Sequence, residues 1–350
     1  MKKIIGAKPR PAAAEVRFLT VEGEFAGQRL DNFLFRTLKG VPKTHVYRII
    51  RSGEVRINKG RAQAETRLEA GDVLRLPPLR MAERPAGQDA PAPAPAREFP
   101  VLFEDDALLA IDKPAGVAVH GGSGVSFGVI EQLRASRPGS RFLELVHRLD
   151  RETSGILLVA KKRSALTGLQ DQFRERETGK TYLALVEGRW PANKKVLDAP
   201  LARYLLPGKP GSVETGERRV RVVAKDHPDA MRAITLVKVL APVSLPLEAG
   251  EFSLLAVTIK TGRTHQIRVH LASGGHPIAG DDKYGDFERN RMLQRFGLKR
   301  MFLHAWRLRF THPASGERLI LQAELPPELQ ALMPQPVLEN LAAPASSSHD

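Results

Sequence analysis

The sequence contains no cysteine, which removes disulfides, thiolate nucleophiles and cysteine-ligated zinc from its possible chemistry. That suits a reducing compartment, and a cytoplasmic location is expected. Acidic residues are also scarce: 39 Asp and Glu face 54 Lys and Arg, giving a net charge of +15 over 350 residues. Such an excess points to a polyanionic partner, nucleic acid first, although a generally basic protein without a specific partner would carry the same charge. No stretch reaches the ~18 apolar residues of a membrane span. The basic start Met1-Lys2-Lys3-Ile4-Ile5-Gly6 runs into Ala7-Lys8-Pro9-Arg10-Pro11 without an apolar segment, so no secretory signal is expected. Neither a Gly-rich dinucleotide fingerprint nor a Gly-Lys-Ser/Thr phosphate loop is present, and no small-molecule cofactor is expected.

What the chain does have is an ordinary 42% hydrophobic content and enough length for two domains with cores of their own. Residues 81–98 are rich in Pro and Ala, a composition that favours extended conformers, and are expected to link a small unit at 16–80 to a large one at 99–330. Residues 342–350 are small and polar and are expected to be a disordered tail. In the small unit Leu30, Phe33, Leu34 and Leu38 recur at helical spacing, and Val46, Ile49 and Ile50 continue it in a second helix after Pro42 and before Gly53. Short strands follow at Val55 to Asn58 and Val73 to Leu76. Lys43, Arg48, Arg51 and Arg56 place a cationic face along the second helix and first strand, either an RNA-binding surface or merely a solvated one. The large unit mixes strands at Leu108 to Ile111, Ile156 to Ala160, Tyr182 to Val186, Ser253 to Ile259 and Phe302 to Phe310 with helices at Leu166 to Glu175 and Thr264 to Ala272. Strands dominate without a βαβ rhythm, which predicts an α+β fold around a mixed, largely antiparallel sheet.

The most informative residue is Asp150, in His147-Arg148-Leu149-Asp150-Arg151-Glu152-Thr153-Ser154-Gly155. The apolar stretch Phe142 to Val146 precedes this run and Ile156 to Val159 follow it, so two strands are expected to hold the turn and aim the carboxylate. The flanking arginines, Arg148 and Arg151, favour its ionised form and lie where phosphates would bind, which suits a nucleophile or a base; an aspartate that only caps its own turn is the plainer alternative. Three other segments carry chemical weight: Asp112-Lys113-Pro114-Ala115-Gly116-Val117, Lys180 to Val186 with Tyr182, and Gly262-Arg263-Thr264-His265-Gln266-Ile267-Arg268-Val269-His270. Tyr182 shares a strand face with Ala184 and Val186, so its ring can stack on a base in a pocket or sit half-buried in the core. Arg268, on the expected helix, can pair bidentately with Asp150. Lys113 and Gly116 shape a turn, with phosphate contact as the weaker reading. His265 and His270 are five apart instead of the four that lets two histidines of one helix share an ion, so no metal is expected, and structural hydrogen bonding is expected of His147, His265, His270 and His276.

Over Gln28 to Leu79, in Arg29-Leu30-Asp31-Asn32-Phe33-Leu34 and Ile50-Arg51-Ser52-Gly53-Glu54-Val55-Arg56-Ile57-Asn58, the small unit resembles the S4 RNA-binding domain. From Phe99 to about Leu325 the four segments together resemble the pseudouridine synthases of the RluA superfamily; the S4-like module, with Lys39-Gly40-Val41-Pro42-Lys43 and Tyr47-Arg48-Ile49-Ile50-Arg51, resembles within it the bacterial enzymes that act on large-subunit rRNA. The resemblance implies isomerisation of uridine in 23S rRNA, with the base flipped out of its stack, detached from the sugar, turned, and rejoined through carbon. It also implies Asp150 as the essential catalytic residue, as nucleophile or base, Tyr182 as the pocket tyrosine and Arg268 as the partner of the acid, in a cofactor-free monomer. A binding-only assembly factor would find Asp150 dispensable, and a metal-dependent nuclease would be stopped by chelators; neither accounts for all four segments.

Overall fold

Apolar residues at three- and four-residue spacing produce the first two helices of the computed structural model, which describes residues 15–38, 40–79, 93–122, 125–206, 217–245 and 250–343. The chain divides into two compact units, 1–92 and 93–350. Most of the expected linker and the end of the expected tail lie outside the described residues.

In the first unit, helices α1 (Leu30–Thr37) and α2 (Lys43–Arg51) pack against a four-stranded sheet of β1 (Arg17–Thr20), β2 (Arg56–Ile57), β3 (Gly60–Arg61) and β4 (Val73–Leu76), in the order β1-β4-β2-β3. Leu30, Phe33 and Leu34 from α1, Val46, Ile49 and Ile50 from α2, and Leu74 and Leu76 from β4 close one core. Gly53 ends α2 in the left-handed region, φ +75°, where glycine alone carries no side-chain penalty. Lys43, Arg48 and Arg51 stay exposed on the outer side of α2, whereas Arg56 is half-buried and donates to the Lys59 carbonyl.

The second unit opens earlier than the sequence suggests. Arg97 donates its backbone N–H to the Gln132 carbonyl, and Glu98 is bound by Arg137, so both belong to the large unit's surface. Its elements are β5 (Val101–Glu104), β6 (Leu108–Lys113), α3 (Val129–Ser136), β7 (Glu144–Leu145), β8 (Ser154–Ala160), α4 (Arg163–Glu175), β9 (Gly179–Glu187), β10 (Val196–Asp198), β11 (Leu201–Leu205), β12 (Arg218–Val222), β13 (Ile234–Ser244), β14 (Glu251–Ile259), α5 (Gln266–Ser273), α6 (Phe287–Arg295), β15 (Leu303–Thr311), β16 (Arg318–Gln322), α7 (Pro327–Gln330) and α8 (Gln335–Ala342). A ten-stranded sheet runs β10-β13-β14-β9-β15-β8-β6-β5, with β16 on β15 and β7 on β8. Every pairing in it is antiparallel except β8 with β15, giving the mixed, largely antiparallel α+β architecture that the strand pattern predicts. Helices α7 and α8 extend the unit past residue 330, since Leu329, Met333 and Leu341 join its main core.

The parallel contact fixes the exit of the Asp150 turn. Gly155 has φ +107°, and a Cβ there would lie 2.3 Å from the Ala305 carbonyl oxygen, so β8 can reach β15 only with glycine at this position. Seven consecutive buried residues of β8 then anchor the turn in the sheet centre.

Candidate active site

The turn carrying Asp150 is held from beneath by a buried cation. Lys113, at the end of β6 and fully buried, donates from Nζ to the carbonyls of Pro114 at 2.8 Å, Val117 at 2.9 Å and Arg151 at 3.2 Å. Burial pulls its pKa down to about 7, while three carbonyl acceptors give each ammonium hydrogen a partner. The ammonium is thereby used up inside the protein and offers nothing to a phosphate. Gly116 completes the clasp: its N–H donates to the Arg151 carbonyl, and its carbonyl accepts from Arg151 Nε. We expect Lys113→Met to lower the unfolding free energy by about 3 kcal/mol, because it leaves the Pro114 and Val117 carbonyls without donors and the Arg151 carbonyl with the Gly116 N–H alone. A urea unfolding midpoint equal to that of the unaltered chain would contradict the clasp.

His147 sets the other end of the turn. Its Nε2 accepts the Leu158 N–H at 3.1 Å and its ring stacks on Phe173. Burial drives its pKa down to about 3, so the ring is neutral. The Val146 N–H still donates to the Leu158 carbonyl, but the imidazole takes the return acceptor place for the Leu158 N–H, so the β7–β8 ladder of Glu144 and Leu145 ends there.

Asp150, Tyr182 and Arg268 line one pocket, together with Arg148, Thr264 and His265. Tyr182 rises from β9, paired with Val257 and Ala305, and is nearly buried. Burial, and secondarily the Asp150 charge, raise its pKa, so the phenol keeps its proton. Arg268 rises from α5 with 3% of its side chain exposed. Its Nη1 lies 3.6 Å from Asp150 Oδ2, an ion-pair distance beyond a hydrogen bond. The bidentate partner expected in Asp150 is Asp281 instead: Arg268 Nε donates to Oδ2 at 2.7 Å and Nη2 to Oδ1 at 2.6 Å. A fork that closes on Asp281 leaves one remaining nitrogen for Asp150. Burial acts to lower the Arg268 pKa, but the Asp281 hydrogen bonds and the surrounding carboxylates outweigh it and the net shift is upward.

The flanking arginines behave differently from one another. Arg148 is exposed and lines the pocket. Arg151, also exposed, turns to the Gly116 carbonyl and to Glu152, so the charge facing Asp150 comes from α5 and not from the arginine that follows it in sequence.

Two features carry no clear signal in the sequence pattern. One is the loop Gly280-Asp281-Asp282-Lys283-Tyr284-Gly285, which supplies the carboxylate for Arg268 and places the Tyr284 ring 5.1 Å from the guanidinium. Its one mark is a polar run bracketed by glycines, and a Cβ at Gly280 would lie 2.3 Å from the Arg300 carbonyl oxygen. The other is the β11–β12 ribbon, which carries Arg203, Arg219 and Arg221 and exposes Leu205. Arg203 reaches Thr264 Oγ1 at 3.3 Å, Arg219 donates to the Lys283 carbonyl, and Arg221 lies over the Tyr204 ring. The remaining histidines make hydrogen bonds: His270 to Thr235 and the Ala199 carbonyl, and His276 to the Glu187 carbonyl. Among the described residues no group of three or more His, Asp or Glu has a metal-binding arrangement.

Comparison with known proteins places this geometry in a family. Residues 107–273 match the model described as RNA pseudouridylate synthase, and residues 28–74 match the S4 domain. The chain is 49% identical over 323 residues, 91% of this chain and 93% of the relative, to the protein named Ribosomal large subunit pseudouridine synthase C of Pasteurella multocida (strain Pm70). It is 50% identical over 316 residues, 89% of this chain and 93% of the relative, to the protein of that name from Escherichia coli (strain K12). Among solved structures, Human RNA Pseudouridylate Synthase Domain Containing 4 superposes with a TM-score of 0.51 at 28% identity, covering 67% of this chain and 92% of that one. With half its residues shared over nine-tenths of its length, the chain belongs to the RNA pseudouridylate synthase family.

Proposed function

We propose that this chain converts uridines of large-subunit (23S) rRNA to pseudouridine, with Asp150 as the reacting carboxylate. The convergence of a carboxylate, a buried protonated phenol and a guanidinium on one pocket carries the reading. The names of the relatives above supply the substrate class. The product is an isomer of the substrate: the N1–C1′ bond breaks, the uracil turns, a C5–C1′ bond forms, the C5 hydrogen leaves as a proton and N1 takes one up. No atom or electron is gained overall, so protein groups can suffice. Asp150 either attacks C1′ as the uracil leaves and is itself displaced when C5 attacks C1′, or takes the C2′ proton as the uracil is expelled and returns it on rejoining; the Tyr182 ring supports the extracted base face-on, and Arg268 holds the acid oriented. Arg148, at the exposed rim, is suited to the phosphates or to the gap that the flipped base leaves.

The small unit grips the RNA through the exposed Lys43, Arg48 and Arg51 of α2, with Arg56 beside them, and the β11–β12 arginines add a second cationic strip on the catalytic unit. Asp150, Tyr182 and Arg268 make the pocket without a second copy, so a monomer suffices for the chemistry, and the lack of cysteine suits work in the cytoplasm. Replacing Lys43, Arg48, Arg51 and Arg56 by Gln is expected to flatten the dependence of log affinity on log salt by about 0.7–0.9 for each phosphate that these side chains no longer neutralise. An unchanged slope would remove α2 from the RNA interface. The function itself is tested by incubating the purified chain with an unmodified 23S transcript in excess chelator and mapping carbodiimide-reactive positions. Site-specific pseudouridine supports the reading; an unmodified or cleaved transcript overturns it.

A further inference from the structure

His265 stands in the left-handed region, φ 53° and ψ 21°, immediately before α5. A non-glycine residue there is uncommon and persists where the surroundings hold it. What holds it is a chain of polar contacts. Its Nδ1 lies 2.8 Å from the Tyr284 hydroxyl, and that hydroxyl accepts the Val220 backbone N–H at 3.1 Å. On the other side of the ring, Nε2 lies 3.9 Å from Asp150 Oδ2, the same oxygen that faces Arg268 Nη1 at 3.6 Å.

The proton count follows from the chemistry of each group. A phenol has one hydrogen. With the Val220 N–H already on its oxygen, Tyr284 has that hydrogen to give, and His265 Nδ1 is the acceptor in reach. A ring that accepts at Nδ1 carries its hydrogen on Nε2, where the carboxylate is. The opposite tautomer would aim a lone pair at a carboxylate oxygen and leave the phenol hydrogen without one of these partners. Burial lowers the affinity of His265 for a second proton, against the pull of Asp150 and Asp281 and with the help of Arg268 and Lys283.

We propose that Tyr284 locks His265 in the Nε2–H tautomer, and that this N–H and Arg268 Nη1 together anchor Oδ2 of Asp150, leaving Oδ1 to meet the nucleotide. His265 and Tyr284 are thus positioning residues, and the assignment rests on Asp150 being the reacting group. Both contacts to Oδ2 exceed hydrogen-bond length, as catalytic contacts often do before substrate tightens them.

Tyr284→Phe isolates the hydroxyl, since the ring that lies against Arg268 is retained. Two-dimensional ¹H–¹⁵N correlation of imidazole nitrogens in the full chain at pH 7 should show His265 neutral and protonated on Nε2, and in Tyr284→Phe a mixture of both tautomers. With RNA, Tyr284→Phe should lose about 10-fold to 100-fold in kcat while KM stays within about twofold, and His265→Gln, which keeps a donor, should retain more activity than His265→Ala. A proton on Nδ1 or an imidazolium in the unaltered chain, or full kcat in Tyr284→Phe, overturns the proposal. If Asp150→Asn is inactive while Tyr284→Phe is unaffected, the relay alone is wrong; if Asp150→Asn remains active, the assignment of the reacting carboxylate is wrong as well.

Discussion

Asp150→Asn is expected to reduce pseudouridine formation by at least about 10⁴-fold, the scale seen when a reacting group is removed from a covalent or acid–base site. The amide has the volume of the acid but neither its charge nor a basic oxygen to take a proton. RNA affinity should stay within about threefold, because the phosphate contacts proposed above come from cations elsewhere. Stability should also change little, by about 1 kcal/mol or less. Arg268 keeps both of its hydrogen bonds to Asp281 when Asp150 loses its charge, so no buried cation is stranded. Turnover measured by mass spectrometry of digested rRNA, with anisotropy for binding and urea for unfolding, separates these effects. Conversion at even a hundredth of the normal rate would assign the chemistry to another group.

How much of this is readable from sequence depends on whether the deciding force is local. Helices α1, α2 and α4 follow from apolar spacing, and strands β8, β9 and β14 from continuous apolar runs, because each run is buried on both sheet faces. The Asp150 turn is legible for the same reason: apolar runs bracket it. Helix α6 is not, since Leu293 is its one buried residue among a polar majority and no apolar stripe announces it. The β11–β12 ribbon escapes because a long segment separates its strands, leaving no short turn to fix their register.

Within the site, the expected groups Asp150, Tyr182 and Arg268 do line one pocket, but their pairing is not readable. Arg268 is expected from sequence to close on Asp150, a choice that spacing cannot make, because both Asp150 and Asp281 meet α5 only through the tertiary fold. Lys113 shows the same limit from another side. A lysine beside Pro and Gly suggests a turn with phosphate contact open to it, and only the crossing of β6 beneath the Asp150 turn converts it into a buried clasp.

Arg268→Lys should therefore damage both activity and stability, unlike Asp150→Asn. Asp281 is fully buried, and its carboxylate receives Arg268 Nε and Nη2 together with the backbone N–H groups of Lys283 and Tyr284. A single ammonium cannot make both fork contacts and also face Asp150 from a third nitrogen. Loss of the fork leaves a buried carboxylate short of donors, and we expect the unfolding free energy to fall by about 3 kcal/mol. With the ammonium drawn to Asp281 and no oriented nitrogen left at Oδ2 of Asp150, kcat should fall by about 10²–10³-fold, the usual effect of removing one oriented donor from a reacting group. Asp281→Asn should reproduce the stability loss and part of the kcat loss, because it releases the guanidinium that Asp281 aims. The double variant should then be less impaired than the sum of the two, since each single change already breaks the shared contact. Strict additivity in both unfolding free energy and log kcat would mean that Asp281 does not orient Arg268, and that the guanidinium reaches Asp150 by the packing of α5 alone.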